Sequence, residues 1–161
     1  GQGQKDAKQL ALLMQEHPVD AIYTSSLKRT QETAQLAFPD RQVKAIADFD
    51  ERGFGQWEGL TADEIEAAFP EVWQAWLEAP FEVTPPEAEV FSAFQTRVWA
   101  ATDRLLDTTD ESIALVAHLG VLRLIYQHLV DREAVFWNID VPQGRVLLLE
   151  ERDQTWQATL L

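Results

Sequence analysis

Apolar positions change their spacing several times along the chain, and each change marks an element. Ala7, Leu10, Ala11 and Met14 recur at i, i+3, i+4 and i+7, the period of a helix with one buried stripe, which His17-Pro18 stops. Ala21-Ile22-Tyr23-Thr24 reads as a short strand ending at Ser25-Ser26, and a helix is predicted from Leu27 to Phe38-Pro39. Val43 to Ile46 fits a second short strand. Thr61-Ala62-Asp63-Glu64 has the spacing of a capping box, so a helix starts there, and Pro70 opens another with Trp73 and Trp76 on one side. Pro80 to Pro86 reads as loop. From Glu87 a long helix is predicted, with Phe91, Phe94, Val98, Ala101 and Leu105 on one stripe. Ser112 to Ala117 is a continuous apolar run, the pattern of a strand buried on both faces, and a mostly apolar helix follows over Val121 to Val130. Val146 to Leu149 and Trp156 to Leu160 form a hairpin around a turn at 151–154.

Helices alternating with short buried strands predict an α/β fold with a mostly parallel central sheet, carrying an antiparallel edge. The 161 residues correspond to one domain, without internal repeats or low-complexity stretches. Cysteine is absent, which removes disulfides, thiolate metal sites and cysteine nucleophiles. A formal charge of -14 speaks against nucleic acid and anionic membranes, because both require a broad basic face. With no membrane-length apolar run and no visible signal peptide, the expected location is the cytoplasm. A small anionic substrate stays compatible with this charge, since a few arginines in a cleft reverse the local field.

Two strand-to-helix turns carry charge that helix physics does not favour. With Ser26 as the N-cap, Lys28 and Arg29 fall in the first turn, where cations oppose the helix dipole. At the second turn His118 ends the apolar strand and Arg123 lies near the helix start. Basic groups beside free backbone N–H donors at both places predict one shared anion, with phosphate the best fit. Each residue alone also has an ordinary explanation. Arg29 fits an exposed arginine pairing with Glu32, His118 a core histidine, and Glu51 a loop carboxylate beside Gly53, Gly55 and Gly59. Arg123 sits among buried-type residues and so needs a partner. No Walker loop, dinucleotide fingerprint or Gly-x-Ser-x-Gly elbow occurs, and the three histidines lack metal-site spacing.

Several segments resemble the histidine phosphatase superfamily, the phosphoglycerate mutase-like group. They are the Ser25-Ser26-Leu27-Lys28-Arg29-Thr30-Gln31-Glu32-Thr33-Ala34 stretch, the Glu51-Arg52-Gly53-Phe54-Gly55-Gln56-Trp57-Glu58-Gly59 loop, and Val116-Ala117-His118-Leu119-Gly120. Gly3 to Leu10 resembles the start of the family's first helix, and Pro85-Pro86-Glu87-Ala88-Glu89 lies where a Pro–Gly–Gly–Glu–Ser element is usual. The matches occur in family order across nearly the whole chain, and they resemble the compact phosphatases, such as those acting on α-ribazole phosphate, more than the longer mutases. Two departures stand out. Leu119 replaces a usual glycine. The family's Arg-His-Gly nucleophile strand, expected before Gly3, has no match in the sequence.

The resemblance implies a three-layer sandwich over residues 1–161 with a helical lid at approximately 61–89. It implies phosphomonoester hydrolysis through a phosphohistidine, with no metal or cofactor. By position, Arg29 would clamp phosphate oxygens, His118 would donate to a further oxygen and stabilise the transferring group, and Glu51 would protonate the leaving alkoxide and then activate water. Trp57, Trp73 and Trp76, with Phe81, are candidate substrate walls or simply packing beneath the lid. The partner implied is a small phosphorylated metabolite. Without the upstream strand, the chain as written is expected to be inactive. A phosphoglycerate mutase, or a noncatalytic binding or scaffold protein on the same fold, are the alternatives.

Overall fold

A computed structural model of the chain describes residues 2–108 and 111–161. It contains two compact units, Gly1–Glu51 with Val98–Leu161, and Arg52–Arg97. In the first, helix α1 (Gln2–Glu16) leads into strand β1 (Ala21–Thr24), helix α2 (Lys28–Ala37) and strand β2 (Val43–Ala45). Strand β3 (Ile113–Val116), helix α6 (Leu119–Leu129), and the hairpin β4 (Leu147–Arg152) and β5 (Thr155–Leu160) complete it. The second holds helices α3 (Ala62–Ala68) and α4 (Pro70–Glu78). Helix α5 (Phe91–Asp107) begins there and continues into the first unit.

The parallel sheet has the order β2-β1-β3, with Ile22 opposite Val43 and Ala114, and Thr24 opposite Val116. Side chains alternate across it as a pleat requires. Ile22, Ala114, Val116 and Val43 pack with Ala34, Ala37 and Phe38 of the α2 region and with Leu10 and Met14 of α1. This register brings the carboxyl ends of β1 and β3 side by side, where parallel sheets carry their ligands. The amide of Ser25 donates to Val116 O at 3.2 Å, and that of Ile46 to Thr24 O at 2.8 Å. A short 3-10 turn, Ala47–Phe49, then carries the chain to Asp50 and Glu51, anchored by the fully buried ring of Phe49.

Several expectations are corrected. Helix α2 is capped by Leu27, not Ser26, because the Ser26 hydroxyl is drawn to Asp50 instead. Helix α5 starts at Phe91 rather than Glu87, whose backbone is left-handed at φ 61°. Strand β3 is only partly buried along its whole length, since it lies at an edge of the parallel sheet. The hairpin pairs with itself as a separate two-stranded sheet and is not an antiparallel edge on the parallel one. Its turn narrows to Asp153 and Gln154, both at positive φ, the twist that suits a two-residue hairpin loop.

In the Arg52–Arg97 unit, the capping box at Thr61 and Glu64 forms as predicted. The Gly55 loop packs on the Pro85–Glu89 segment: Gln56 N donates to Pro86 O at 3.0 Å, and Glu89 N to Gly53 O at 2.8 Å. A Cβ on Gly55 would overlap backbone atoms of Pro86, Glu87 and Ala88, and its φ is +55°. Gly59, at φ +77°, has open space where a Cβ would go. Gly55→Ala therefore adds a backbone clash to the left-handed cost of about 1–2 kcal/mol that Gly59→Ala also carries. Urea unfolding of the two variants checks this, with Gly55→Ala the less stable. No helix among the described residues is long and apolar enough to cross a membrane.

Candidate functional site

The site residues of the first unit converge because three backbone segments end together. Ser25 follows β1, His118 follows β3 as the N-cap of α6, and Asp50-Glu51 leave the 3-10 turn. Arg29 lies in the first turn of α2, and its Nη2 is 3.3 Å from His118 Nδ1. Glu51 Oε2 accepts the Gly120 N–H at 3.1 Å. Arg29, Glu51 and His118 are thus brought to the same end of the sheet.

Part of the expected anion site is already filled by the protein's own carboxylates. Asp50 Oδ1 accepts the Ser26 N–H at 2.7 Å, and both Asp50 oxygens accept from the Ser26 hydroxyl at 2.6 to 2.9 Å. Glu51 takes the corresponding place at the start of α6. Each strand-to-helix turn therefore holds a carboxylate against a backbone donor, as the electrostatics of helix starts favour. The groups that face each other across the two turns are the Arg29 guanidinium and the His118 imidazole.

His118 is buried, and its pKa lies below the ordinary histidine value. Desolvation is the main cause and the Arg29 charge the second, with Glu51 and Asp50 pulling the other way. The ring is therefore neutral at pH 7. An arginine N–H only donates, so Nδ1 accepts from Arg29 and the proton resides on Nε2. Nε2 is 2.9 Å from Ser25 Oγ, which is 2.8 Å from Thr30 Oγ1, and the Thr30 hydroxyl donates to Leu27 O at 2.8 Å. Sequence reasoning assigned Ser25 and Thr30 no role: it read Ser25 as the end of a strand and met both otherwise only as members of the family-like stretch. Their signal is the burial of two hydroxyls beside a histidine.

Gly120 is required by the approach of Glu51: a Cβ there would overlap Glu51 Oε1. Leu119, where the family usually has glycine, occupies the first helical position of α6 without left-handed backbone. Arg123 does not join the site. Its Nε donates to Ile139 O at 2.7 Å, and its guanidinium lies over the rings of Phe136 and Trp137. The ion pair expected of Arg29 with Glu32 is made instead by Lys28, at 3.7 Å. His17 is half-buried just beyond α1, and His128 Nε2 donates to Asp103 Oδ1 at 2.8 Å while the ring stacks on Trp99.

In the Arg52–Arg97 unit, Trp57, Trp73 and Trp76 form a mutual cluster with ring centroids 5.7 to 5.8 Å apart. The buried Nε1–H groups of Trp57 and Trp76 have no acceptor among the described residues. Glu89 receives Arg97 through both of its oxygens at 2.8 and 2.9 Å, an ion pair that sequence spacing did not reveal. Among the described residues no group of three or more His, Cys, Asp or Glu side chains could hold a metal ion.

The chain is similar to known proteins in both sequence and fold. The profile of the histidine phosphatase superfamily (branch 1) matches residues 1–161. The adenosylcobalamin/alpha-ribazole phosphatase of Escherichia coli (strain K12) is 32% identical over 146 residues, which is 88% of this chain and 72% of that protein. Phosphoserine phosphatase 1 of Hydrogenobacter thermophilus is 28% identical over 156 residues, covering 93% and 74%. Among solved structures, the alpha-ribazole phosphatase from Shigella flexneri superposes with a TM-score of 0.91 at 28% identity, covering 100% of this chain and 82% of that one.

Proposed function

The chain belongs to the histidine phosphatase superfamily, branch 1, and on that premise we propose that Arg29, His118 and Glu51 act on the phosphoryl group of a small phosphomonoester. The observation that carries this reading is the Arg29–His118 pair, a guanidinium facing a neutral imidazole at the carboxyl end of a parallel sheet. Arg29 clamps nonbridging oxygens, and its planar fork suits two of them at once. His118 donates to a third oxygen. Glu51 protonates the leaving alkoxide and then takes a proton from water. Phosphoryl transfer needs little more than such positioning and charge neutralisation around its nucleophile. The attacking histidine that the family resemblance implies is none of His17, His118 and His128. His118 is committed to Arg29 and Ser25, and the other two lie away from this pair.

A hydrolase is preferred over a mutase because the relatives that match 86% or more of this chain carry phosphatase names, whereas the named mutases match 66% of it or less. The matched mutase of Bartonella bacilliformis is 27% identical over 114 residues. The test is phosphate release from a panel of small phosphomonoesters by the protein expressed from its complete coding sequence. Release without added bisphosphoglycerate is expected. No release from any ester, with oxyanion binding intact, would support the noncatalytic alternative instead.

Glu51 offers a separate check through its neighbour. In Gly120→Ala the new methyl group displaces a side-chain carboxylate rather than backbone, so the fold absorbs it easily. Turnover falls by about tenfold or more, because a catalytic group is moved off its position, while the thermal midpoint changes little. Equal turnover in both proteins would show that Glu51 does not need this position.

A further inference from the structure

The partners of His118 Nε2 are unusual for a histidine with one assigned task. A carbonyl or carboxylate at Nε2 would fix the proton there permanently. The partner here is Ser25 Oγ, a hydroxyl that either accepts or donates. Ser25 is fully buried, so it has no access to a substrate and is not itself a nucleophile. Behind it stands Thr30, also buried, whose hydroxyl has the same freedom. Two hydrogen-bond arrangements satisfy this chain.

In the first, Nε2–H donates to Ser25, Ser25 to Thr30, and Thr30 to the Leu27 carbonyl. The Nδ1 lone pair then meets the Arg29 N–H, which is the arrangement described. In the second, both hydroxyls rotate: Thr30 donates to Ser25, Ser25 donates to Nε2, and Nδ1 carries the proton. Leu27 O keeps the backbone N–H groups of Thr30 and Gln31, so nothing is left without a partner. Against Arg29 alone the second arrangement sets two donors face to face. With an oxyanion between Arg29 and His118 it supplies two donors to an acceptor.

We propose that the Ser25–Thr30 hydroxyl pair lets neutral His118 exchange tautomers, so that Nδ1 accepts from Arg29 without a ligand and donates to a bound oxyanion. The inference rests on the oxyanion reading of this site. Nδ1 takes a proton from solvent and Nε2 returns one to solvent when its contact with Ser25 opens transiently, so the ring stays neutral and no net proton is bound. Ser25 and Thr30 are positioning residues: they act through His118. The device matters because imidazolium is disfavoured here. Burial and Arg29 from α2 oppose the ring's positive charge more than Glu51 and Asp50, from the 47–51 turn, favour it. A histidine locked as Nε2–H would donate from Nδ1 only when charged. Its oxyanion affinity would then fall about tenfold for each pH unit above its pKa. With the hydroxyl pair, affinity stays level over that range.

The test uses sulfate, which remains a dianion throughout, and the complete protein with 15N-labelled histidine. Without sulfate at pH 8, the spectrum is expected to show a protonated Nε2 and a bare Nδ1. At saturation the two exchange character. Thr30→Val keeps the side-chain shape but removes the acceptor that the Ser25 hydroxyl uses in the first arrangement, so the Nε2–H form loses part of its preference and the Nδ1 signal shifts part of the way towards the protonated value even without sulfate. Thr30→Ser restores the wild-type spectrum. Sulfate affinity of the wild type is level from pH 7 to about 8.5, the range above an ordinary histidine pKa. If sulfate binds and Nε2 stays protonated, or both nitrogens become protonated, the tautomer exchange is wrong while the oxyanion site stands. Unchanged spectra for Thr30→Val also overturn it. If sulfate perturbs neither His118 nor Arg29, the oxyanion reading fails and the inference fails with it.

Discussion

Glu51→Gln lowers phosphomonoester turnover by a factor of about 10²–10⁴, the usual contribution of a positioned acid/base group. The amide has nearly the carboxylate's shape, and its oxygen still accepts the Gly120 N–H that Glu51 Oε2 now takes at 3.1 Å. The loop keeps its other tether, because Asp50 stays bonded to the backbone and hydroxyl of Ser26. What the glutamine side chain lacks is a proton to give to the leaving alkoxide and a base to take one from water. Turnover therefore falls while binding of phosphate or vanadate is retained. Steady-state kinetics with an ester whose leaving alcohol is poor makes the effect largest. Equal turnover by the two proteins across the pH range, with chemistry shown to limit, removes Glu51 from this role.

Arg29→Ala acts on binding as well as on rate. Hydrogen bonds to charged groups contribute about 1.5–3 kcal/mol each, so the loss of one corresponds to about ten- to a hundredfold in oxyanion affinity. Arg29→Lys restores only part, because an ammonium supplies charge without the two-pronged geometry. The alanine substitution has a second readout. The Arg29 charge is one of two causes that hold the His118 pKa down, and removing it moves the histidine midpoint upward, towards the ordinary value. Calorimetric titration with phosphate and a histidine NMR titration read the two effects separately. An unchanged His118 midpoint in Arg29→Ala would mean that the 3.3 Å contact does not persist in solution.

Much of this arrangement was legible in the sequence because its causes are local. The capping box of α3, the proline start of α4 and the short strands β1 and β2 depend on neighbouring residues, and they formed where the pattern put them. Misplaced cations at Arg29 and a histidine ending an apolar strand led to the pair that now faces across two turns. What was not legible depends on partners distant in sequence. Ser26 looked like an N-cap until Asp50, 24 positions away, took its hydroxyl. Arg123 looked like an anion ligand because nothing local showed that Ile139 O and two aromatic faces would receive it. The apolar run of β3 suggests burial on both faces, but burial is decided by the strand's place in the sheet, which periodicity does not encode. Ser25 and Thr30 were missed for a related reason: a hydroxyl's task is set by what faces it.

A structure of the protein crystallised with orthovanadate shows where the oxyanion binds. The vanadate is expected between the Arg29 guanidinium and His118 Nδ1, with both within hydrogen-bond distance and the Glu51 carboxylate directed at the same group. Vanadate bound elsewhere, with the Arg29–His118 contact unbroken, would contradict this placement.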